Sequence, residues 1–394
     1  MSILSVNAGS STLKFSLYPI TQQQVLSQSM NGSIEGLEPG GAPTMRWSSQ
    51  GQSFHRALNF VPGSAFAQAL QCLRQLLDEL PDVPSLRAVA HRVVHGGQIY
   101  RQSVVVTESV LADLSALISL APLHQPHNLD GVRAFAQAFS QVPQVACFDT
   151  AFHATLPELD YRFALPEALY QQGVRRYGFH GLSYQYVMGV LLAHSERAKG
   201  RVLMAHLGNG ASLCAARDGK SCATTMGFSA LDGLMMGTRT GALDAGVLLY
   251  LLEQGWDHAR LQTLLYKQSG LLGVSGISAD MRRLRSLECP AAKLAIDMFT
   301  HRVVRESGAL TACLQGLDVL AFSGGIGEHD TTLRSDVAQR LAWLGVQIDP
   351  VLNAQATGDA IMAIHTPQSQ VQVWVVPTDE GVVAAREAAR LVLT

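Results

Sequence analysis

The sequence predicts an α/β protein made of two similar domains, and three observations carry that prediction. Its 394 residues exceed what one hydrophobic core usually holds. A β-hairpin closed by a glycine-bearing turn opens the chain and recurs near its middle. Stretches with the two-residue period of strands alternate with stretches of helical period, the pattern of sheets covered by helices.

Residues 2–7 and 12–18 alternate apolar and polar side chains around Ala8-Gly9-Ser10-Ser11, which predicts two strands joined by a tight turn. Residues 31–53, with their Asn, Gly, Ser, Gln and Pro, read as loop-rich. Phe66, Ala69, Leu70, Leu73, Leu76 and Leu77 then fall on one helical stripe, and 86–94 reads as a buried strand. The second hairpin has strands at 201–207 and 212–216 around Asn209-Gly210-Ala211, and it closes on Asp218-Gly219. Asn7, Gly9 and Ser10 in the first turn match Asn209, Gly210 and Ser212 in the second, which points to a duplicated unit. Helical stretches follow at about 244–268 and 290–315, then a strand at 318–322 that runs into Ser323-Gly324-Gly325-Ile326-Gly327-Glu328. A last strand, 371–376, leads through Pro377-Thr378-Asp379-Glu380-Gly381 into a helix over 381–391.

Apolar residues make up 47% and charged residues 15%, too apolar for disorder. With a net charge of −2 and no basic run, the chain carries no mark of a nucleic-acid or membrane surface, so small molecules are the expected partners. The first residues lack a basic region, and no apolar run approaches the roughly 18 residues of a span, so a cytoplasmic protein is expected. Six scattered cysteines without a CxxC pair read as reduced core residues.

Three glycine turns directly after strands, at 7–12, 208–212 and 323–328, together describe a cradle for the phosphates of a nucleotide. None has the spacing of a Walker loop or of a dinucleotide fingerprint. Lys14 shares a strand face with Thr12 and is the sole lysine before Lys199, although a plain hairpin turn explains the glycine and serines equally well. Arg92 and Arg239 each lie beside glycines, where a guanidinium fork can approach phosphoryl oxygens; a surface ion pair is the plainer reading of either. Asp149 ends an apolar strand, as a catalytic carboxylate or a helix cap does. His180 is flanked by Gly178 and Gly181 in a loop. The pairs His91/His95 and His124/His127 make a poor zinc site, because the first falls on a strand and turn and the second spans Pro126.

The strings VNAGSSTLKF, HRVVHGG, APLHQPHN, FDTAFH, RRYGFHG, HLGNGAS, GLMMGTRTG, SGLLGVSG, SGGIGE and PTDEG, in this order and from end to end, resemble the acetate kinase family. The resemblance implies two duplicated actin-like (RNase H-like) domains of the acetate and sugar kinase, Hsp70 and actin superfamily, each on a five-stranded sheet, around a central cleft. The first would span 1–150 plus 381–394 and the second 151–380, in a homodimer. It implies reversible, magnesium-dependent in-line transfer from ATP to acetate, giving ADP and acetyl phosphate, with manganese able to replace magnesium. Propionate is the alternative acceptor, and an actin- or Hsp70-like ATP switch is the alternative of a different class.

Carried over by position, Asn7 and Glu380 would hold the metal, and Ser10, Thr12 and Lys14 would lie near the phosphates. His206, Leu207, Gly208, Asn209, Gly210 and Ser212 would form a second phosphate loop. Ser323, Gly324, Gly325, Ile326, Gly327 and Glu328 would meet the adenosine. Arg92, Asp149, His180 and Arg239 match the catalytic set, and Val94, Leu123 and Phe179, with Arg92, match the pocket for the acid.

Acetate is already ionised at pH 7, so no general base is needed and the obstacle is repulsion between two anions. Arg92 and Arg239 would screen it, His180 and magnesium would take up charge on the equatorial oxygens, and Asp149 would orient an arginine or the metal shell. Replacing either arginine by alanine is expected to cost roughly 10³-fold in kcat with the fold retained. Where the family has Thr-Pro-Leu-Glu-Gly, this chain has Ser229-Ala230-Leu231-Asp232-Gly233, so Ala230 predicts a roomier acid pocket. Gln125, Ala242 and His329 also depart from the pattern.

Overall fold

The alternating residues at the chain's start form β1 (Ser2–Ala8) and β2 (Thr12–Pro19), antiparallel, with Asn7 opposite Lys14 and Ala8 opposite Leu13. The computed structural model describes residues 1–22, 24–61, 63–79, 85–121 and 124–393. The chain divides into two units, Met1–Ala151 with Asp379–Thr394, and Phe152–Thr378.

In the first unit β3 (Met30–Glu35), β4 (Thr44–Ser49) and β5 (Gln52–Ala57) extend the hairpin outward. On its other side lie β6 (Leu86–Val93), β7 (Val104–Val105) and β8 (Gln144–Phe148), giving the order β5-β4-β3-β2-β1-β6-β8-β7. Residues 31–53 are therefore largely strand rather than loop. Their apolar alternation is thin because one face alone is buried, through Met30, Ile34, Met45 and Trp47, and β5 is an exposed edge. Gly32 interrupts the pattern for a steric reason: a Cβ there would come within 2.5 Å of the Phe15 ring and 2.8 Å of Trp47 Cβ.

Leu4, Val6 and Ala8 face the helix Ala65–Glu79, whose stripe packs as the spacing predicts, and Phe135 of the helix Gln125–Ala138 joins that core. Ala146 and Phe148 of β8 pack with the helices Glu108–Ala116 and Gln125–Ala138. Cys147, one residue out of phase, turns its Sγ to the Ala384 carbonyl of the terminal helix Glu380–Val392. That helix packs along β1 and β6, so its first residue is delivered close to the sheet.

The second unit repeats this plan with β9 (Arg201–Leu207), β10 (Ala211–Arg217), β11 (Lys220–Thr224), β12 (Val319–Ser323), β13 (Met362–Ala363) and β14 (Gln372–Val375), in the order β11-β10-β9-β12-β14-β13. Each sheet contains the same run: third strand, second, first, then two strands parallel to the first, as β3-β2-β1-β6-β8 and β11-β10-β9-β12-β14. Among the described residues the sheets have eight and six strands where five were expected, and the common run of five is the duplicated element. Helix Gly181–His194 packs Tyr184, Val187, Met188 and Leu191 on β9, β10 and β12. The stretch read as one helix at 244–268 is two, Ala245–Glu253 and His258–Lys267, separated at Gly255, whose φ is 82°. All six cysteines are free, but only Cys147 and Cys214 are buried in the core, with Cys72, Cys222 and Cys289 half-buried and Cys313 exposed. Among the described residues no helix is long and apolar enough to cross a membrane.

Three histidines are structural. His91 Nε2 pairs with Gln144 at 2.7 Å, His95 Nδ1 accepts from Gly97 N–H, and His153 sits between Ser221 Oγ and the Phe179 carbonyl. Burial pushes all three down to about 4 from 6.5, so the fold favours their neutral form. That stability is complete above pH 6.5 and is lost as pH falls from 6.5 toward 4, at up to about 1.4 kcal/mol per pH unit for each histidine. Urea midpoints measured over that range should decline steeply, and less steeply in His91→Gln; an identical slope in the variant would remove His91 from this explanation.

Candidate active site

In the first unit the turn after β1 is closed by Gly9 N–H donating to the Thr12 carbonyl at 2.8 Å. Ser10 and Lys14 are exposed, and Asn7 and Thr12 are half-buried. Because Asn7 pairs directly with Lys14, and Thr12 lies two residues from Lys14, the three share one face of the hairpin. β6 and β8 place Arg92 beside the end of β8. There Asp149, with its side chain 2% exposed, takes a forked pair of bonds, Nε to Oδ1 at 2.9 Å and Nη2 to Oδ2 at 2.7 Å. Arg92 Nη1 reaches Glu380 Oε2 at 3.0 Å. Burial opposes the guanidinium charge, but Asp149 and then Glu380 outweigh it and hold Arg92 above the ordinary arginine range. Asp149 thus orients an arginine, one of the two roles expected of it. The N-cap Asp379, bonded by Tyr18 Oη at 2.8 Å, anchors the helix that begins with Glu380.

Val94 is half-buried, and its N–H donates to Asn128 Oδ1, while Asn128 Nδ2 donates to the Ala8 carbonyl. Asn128 therefore ties the first hairpin turn to the Arg92 strand. It went unselected in the sequence, although an asparagine on the buried side of a helix is a visible signal. Gln125 is fully buried and donates to the His95 carbonyl. Leu123 lies outside the described residues.

In the second unit the β9–β10 turn is closed by Gly208 N–H to the Gly210 carbonyl, and Asn209 at its tip is exposed. His180 is buried rather than in an open loop. It caps the helix Gly181–His194 with φ 60°, its Nδ1 is 2.8 Å from Ser212 Oγ, and its ring lies 4.3 Å from that of His206. His206 Nδ1 pairs with Ser183 Oγ at 2.8 Å. Arg239 donates Nη1 to the Ala230 carbonyl at 2.6 Å, and Gly237 N–H bonds the Asn209 carbonyl, which joins the arginine loop to the turn. A Cβ at Gly210 would sit 2.8 Å from Arg239 Nη2 and 3.2 Å from His180 Nε2, so both groups converge on the Gly210 backbone. Gly210→Ala should displace the guanidinium tip and lower kcat about tenfold to a hundredfold with little change in melting temperature; unchanged kcat would show that this convergence is not used.

Ser323 pairs with His206 across β12 and β9, which sets the two glycine loops side by side. Gly324 has φ 73°, and a Cβ on it would approach the Leu207 carbonyl oxygen to 2.7 Å, so only glycine fits. Gly325 is exposed, Ile326 is half-buried and Gly327 is buried. Glu328 Oε1 accepts from Gly324 N–H and Thr378 N–H, so this carboxylate braces the loop. Arg334, fully buried, donates to the carbonyls of Gly327 and Glu328 and was not legible beforehand, since it occurs in a polar helical run. His329 is spent on the Thr357 carbonyl, and Ala242 N–H on the Gly233 carbonyl. Phe179 is buried and Ala230 half-buried.

Two sheets of one topology, each ending its first hairpin in a glycine turn with an ordered arginine or histidine nearby, define a duplicated actin-like fold. The sequence model of the Acetokinase family matches residues 2–386. An acetate kinase of Rhodopseudomonas palustris is 48% identical over 393 residues, 99% of this chain and 98% of that one. A propionate kinase structure from Francisella tularensis superposes with TM-score 0.90 at 35% identity, and Porphyromonas gingivalis acetate kinase with 0.87 at 36%, each covering 99% of both chains. The chain belongs to the acetokinase family.

Proposed function

We propose that this chain is an acetate kinase, which transfers a phosphoryl group reversibly between ATP and acetate. The observation that carries the reading is the convergence of Arg239 Nη2 and His180 Nε2 on the Gly210 backbone, a pair of donors beside a glycine loop that suits developing charge on phosphoryl oxygens. An acetate oxygen forms a bond to the γ-phosphorus as the bond from that phosphorus to the β,γ-bridging oxygen breaks, and ADP leaves. No proton has to be removed, because acetate is ionised at neutral pH. Arg92, fixed by Asp149 and Glu380, offsets the charge of the incoming carboxylate. Ser10, Thr12 and Lys14 in the first unit, and residues 206–210 in the second, are each assigned to phosphate oxygens. The adenosine is assigned to the loop Ser323–Glu328.

The metal assigned is magnesium, or manganese in its place. The Asn7 amide oxygen and the Glu380 carboxylate are hard donors of the kind a phosphate-bound magnesium takes, one or two at a time. Bound there, the ion would neutralise charge on the phosphate oxygens. Glu380→Ala should raise the magnesium concentration for half-maximal activity several-fold; an unchanged titration would contradict the assignment.

Val94, Phe179 and Ala230 are assigned to the acid's alkyl end, with Leu123 outside the described residues. One methylene in such a pocket is worth about 1–3 kcal/mol, so propionate is the nearest competitor. Acid-dependent ADP formation should give kcat/KM in the order acetate, propionate, butyrate. A preference for butyrate would refute the pocket, and ADP release that ignores the acid would refute the reaction. Cytoplasmic location and a homodimer complete the reading; the helix Ala245–Glu253, which exposes Leu249, Tyr250 and Leu252, is a face a second copy can cover.

A further inference from the structure

His180 can offer a proton from Nε2 in its neutral form only if Nδ1 accepts a hydrogen bond, and that choice is made on the buried side of the ring. There Nδ1 lies 2.8 Å from Ser212 Oγ, and Ser212 Oγ lies 2.5 Å from Tyr184 Oη. Ser212 and Tyr184 are both fully buried, so no bulk water competes for these bonds.

We propose that Tyr184 is a positioning residue for the transfer: through Ser212 it fixes the tautomer of His180, so that Nε2 carries the proton that faces the Gly210 backbone and Arg239. Ser212 has one proton to give, and two neighbours compete for it. A phenol donates more readily than an aliphatic hydroxyl and accepts less readily, so Tyr184 gives its proton to Ser212 Oγ, and Ser212 gives its own to His180 Nδ1. The reverse order would have His180 donate to Ser212 and Ser212 to the phenol, which would leave the buried phenol proton to find another acceptor. A hydrogen bond at the His206 backbone favours the ionised form of the phenol, as an N–H donor does and an acceptor does not. Burial also keeps Tyr184 protonated well beyond neutral pH. The ring is held edge-on by His153 at 5.6 Å and His206 at 6.5 Å, contacts that phenylalanine would retain.

This inference rests on the reading of His180 as a donor to the transferring phosphoryl, and the two can fail separately. Nitrogen-15 NMR of the histidine rings in the full chain should report His180 as the Nε2–H tautomer, and Tyr184→Phe should shift it toward a mixture. Tyr184→Phe should also lower kcat about tenfold at unchanged KM for ATP and acetate, the scale of one neutral hydrogen bond. Adding Tyr184→Phe to Ser212→Ala should cost nothing further, because the phenol acts through the serine. An Nδ1–H tautomer in the wild type, or a tautomer unmoved by Tyr184→Phe, overturns the relay. The expected tautomer shift with unchanged kcat overturns instead the role of His180 in the reaction, and with it the positioning role.

Discussion

Arg239→Ala should lower kcat by roughly 10³-fold, about 4 kcal/mol of transition-state stabilisation, with the melting temperature nearly unchanged. The two halves of this expectation have separate causes. Nη2 points at the Gly210 backbone alongside His180 Nε2, where the proposed transfer would need a fixed counter-charge, so its removal should act on the transition state. Nη1 bonds the Ala230 carbonyl, and the half-buried site lets water meet that oxygen once the side chain is gone, so the fold loses little. Arg239→Lys should recover only part of the activity, because a point charge cannot hold a backbone carbonyl and a phosphoryl oxygen in one plane. Steady-state kinetics with a thermal melt check both halves, and wild-type kcat in the alanine variant would remove Arg239 from the reaction.

Arg92→Ala should lose activity on the same scale and, unlike Arg239→Ala, lose stability as well. From sequence the fold was expected to survive this change unaffected, but Asp149 receives the guanidinium fork with its carboxylate 2% exposed. Truncation takes the guanidinium fork away from a buried carboxylate, a defect worth up to about 3–5 kcal/mol. Removing the stranded group is the diagnostic: Arg92→Ala with Asp149→Ala should recover much of the stability and none of the activity. Urea denaturation of the two single variants and the double variant measures this. A double variant no more stable than Arg92→Ala would show that Asp149 is not held as a charged partner.

The duplicated hairpin, the helix over 65–79 and the glycine turns were legible because each leaves a local mark: a period of two, a stripe, or a residue that only a turn requires. The strands at 30–57 left almost none, since one face is solvent-exposed and Gly32 breaks the other where Phe15 and Trp47 need room. At the site, residue types marked Arg92, Asp149, His180 and Arg239 as candidates, and the family resemblance assigned their roles. The residues that support them were hidden, because Asn128 and Tyr184 act through contacts distant in sequence that have no period. Glu328 shows the limit from the other side. Its place in a glycine loop suggested a nucleotide contact, and the structure adds what the sequence did not show, that its carboxylate braces Gly324 and Thr378.

Hydroxylamine trapping tests most directly whether an acid, rather than water or a partner protein, receives the phosphoryl group. With ATP, magnesium and acetate, the chain should yield acetohydroxamate in step with ADP, and omitting acetate should abolish both. ADP released at the same rate without acetate, and no hydroxamate with it, would contradict the proposed reaction.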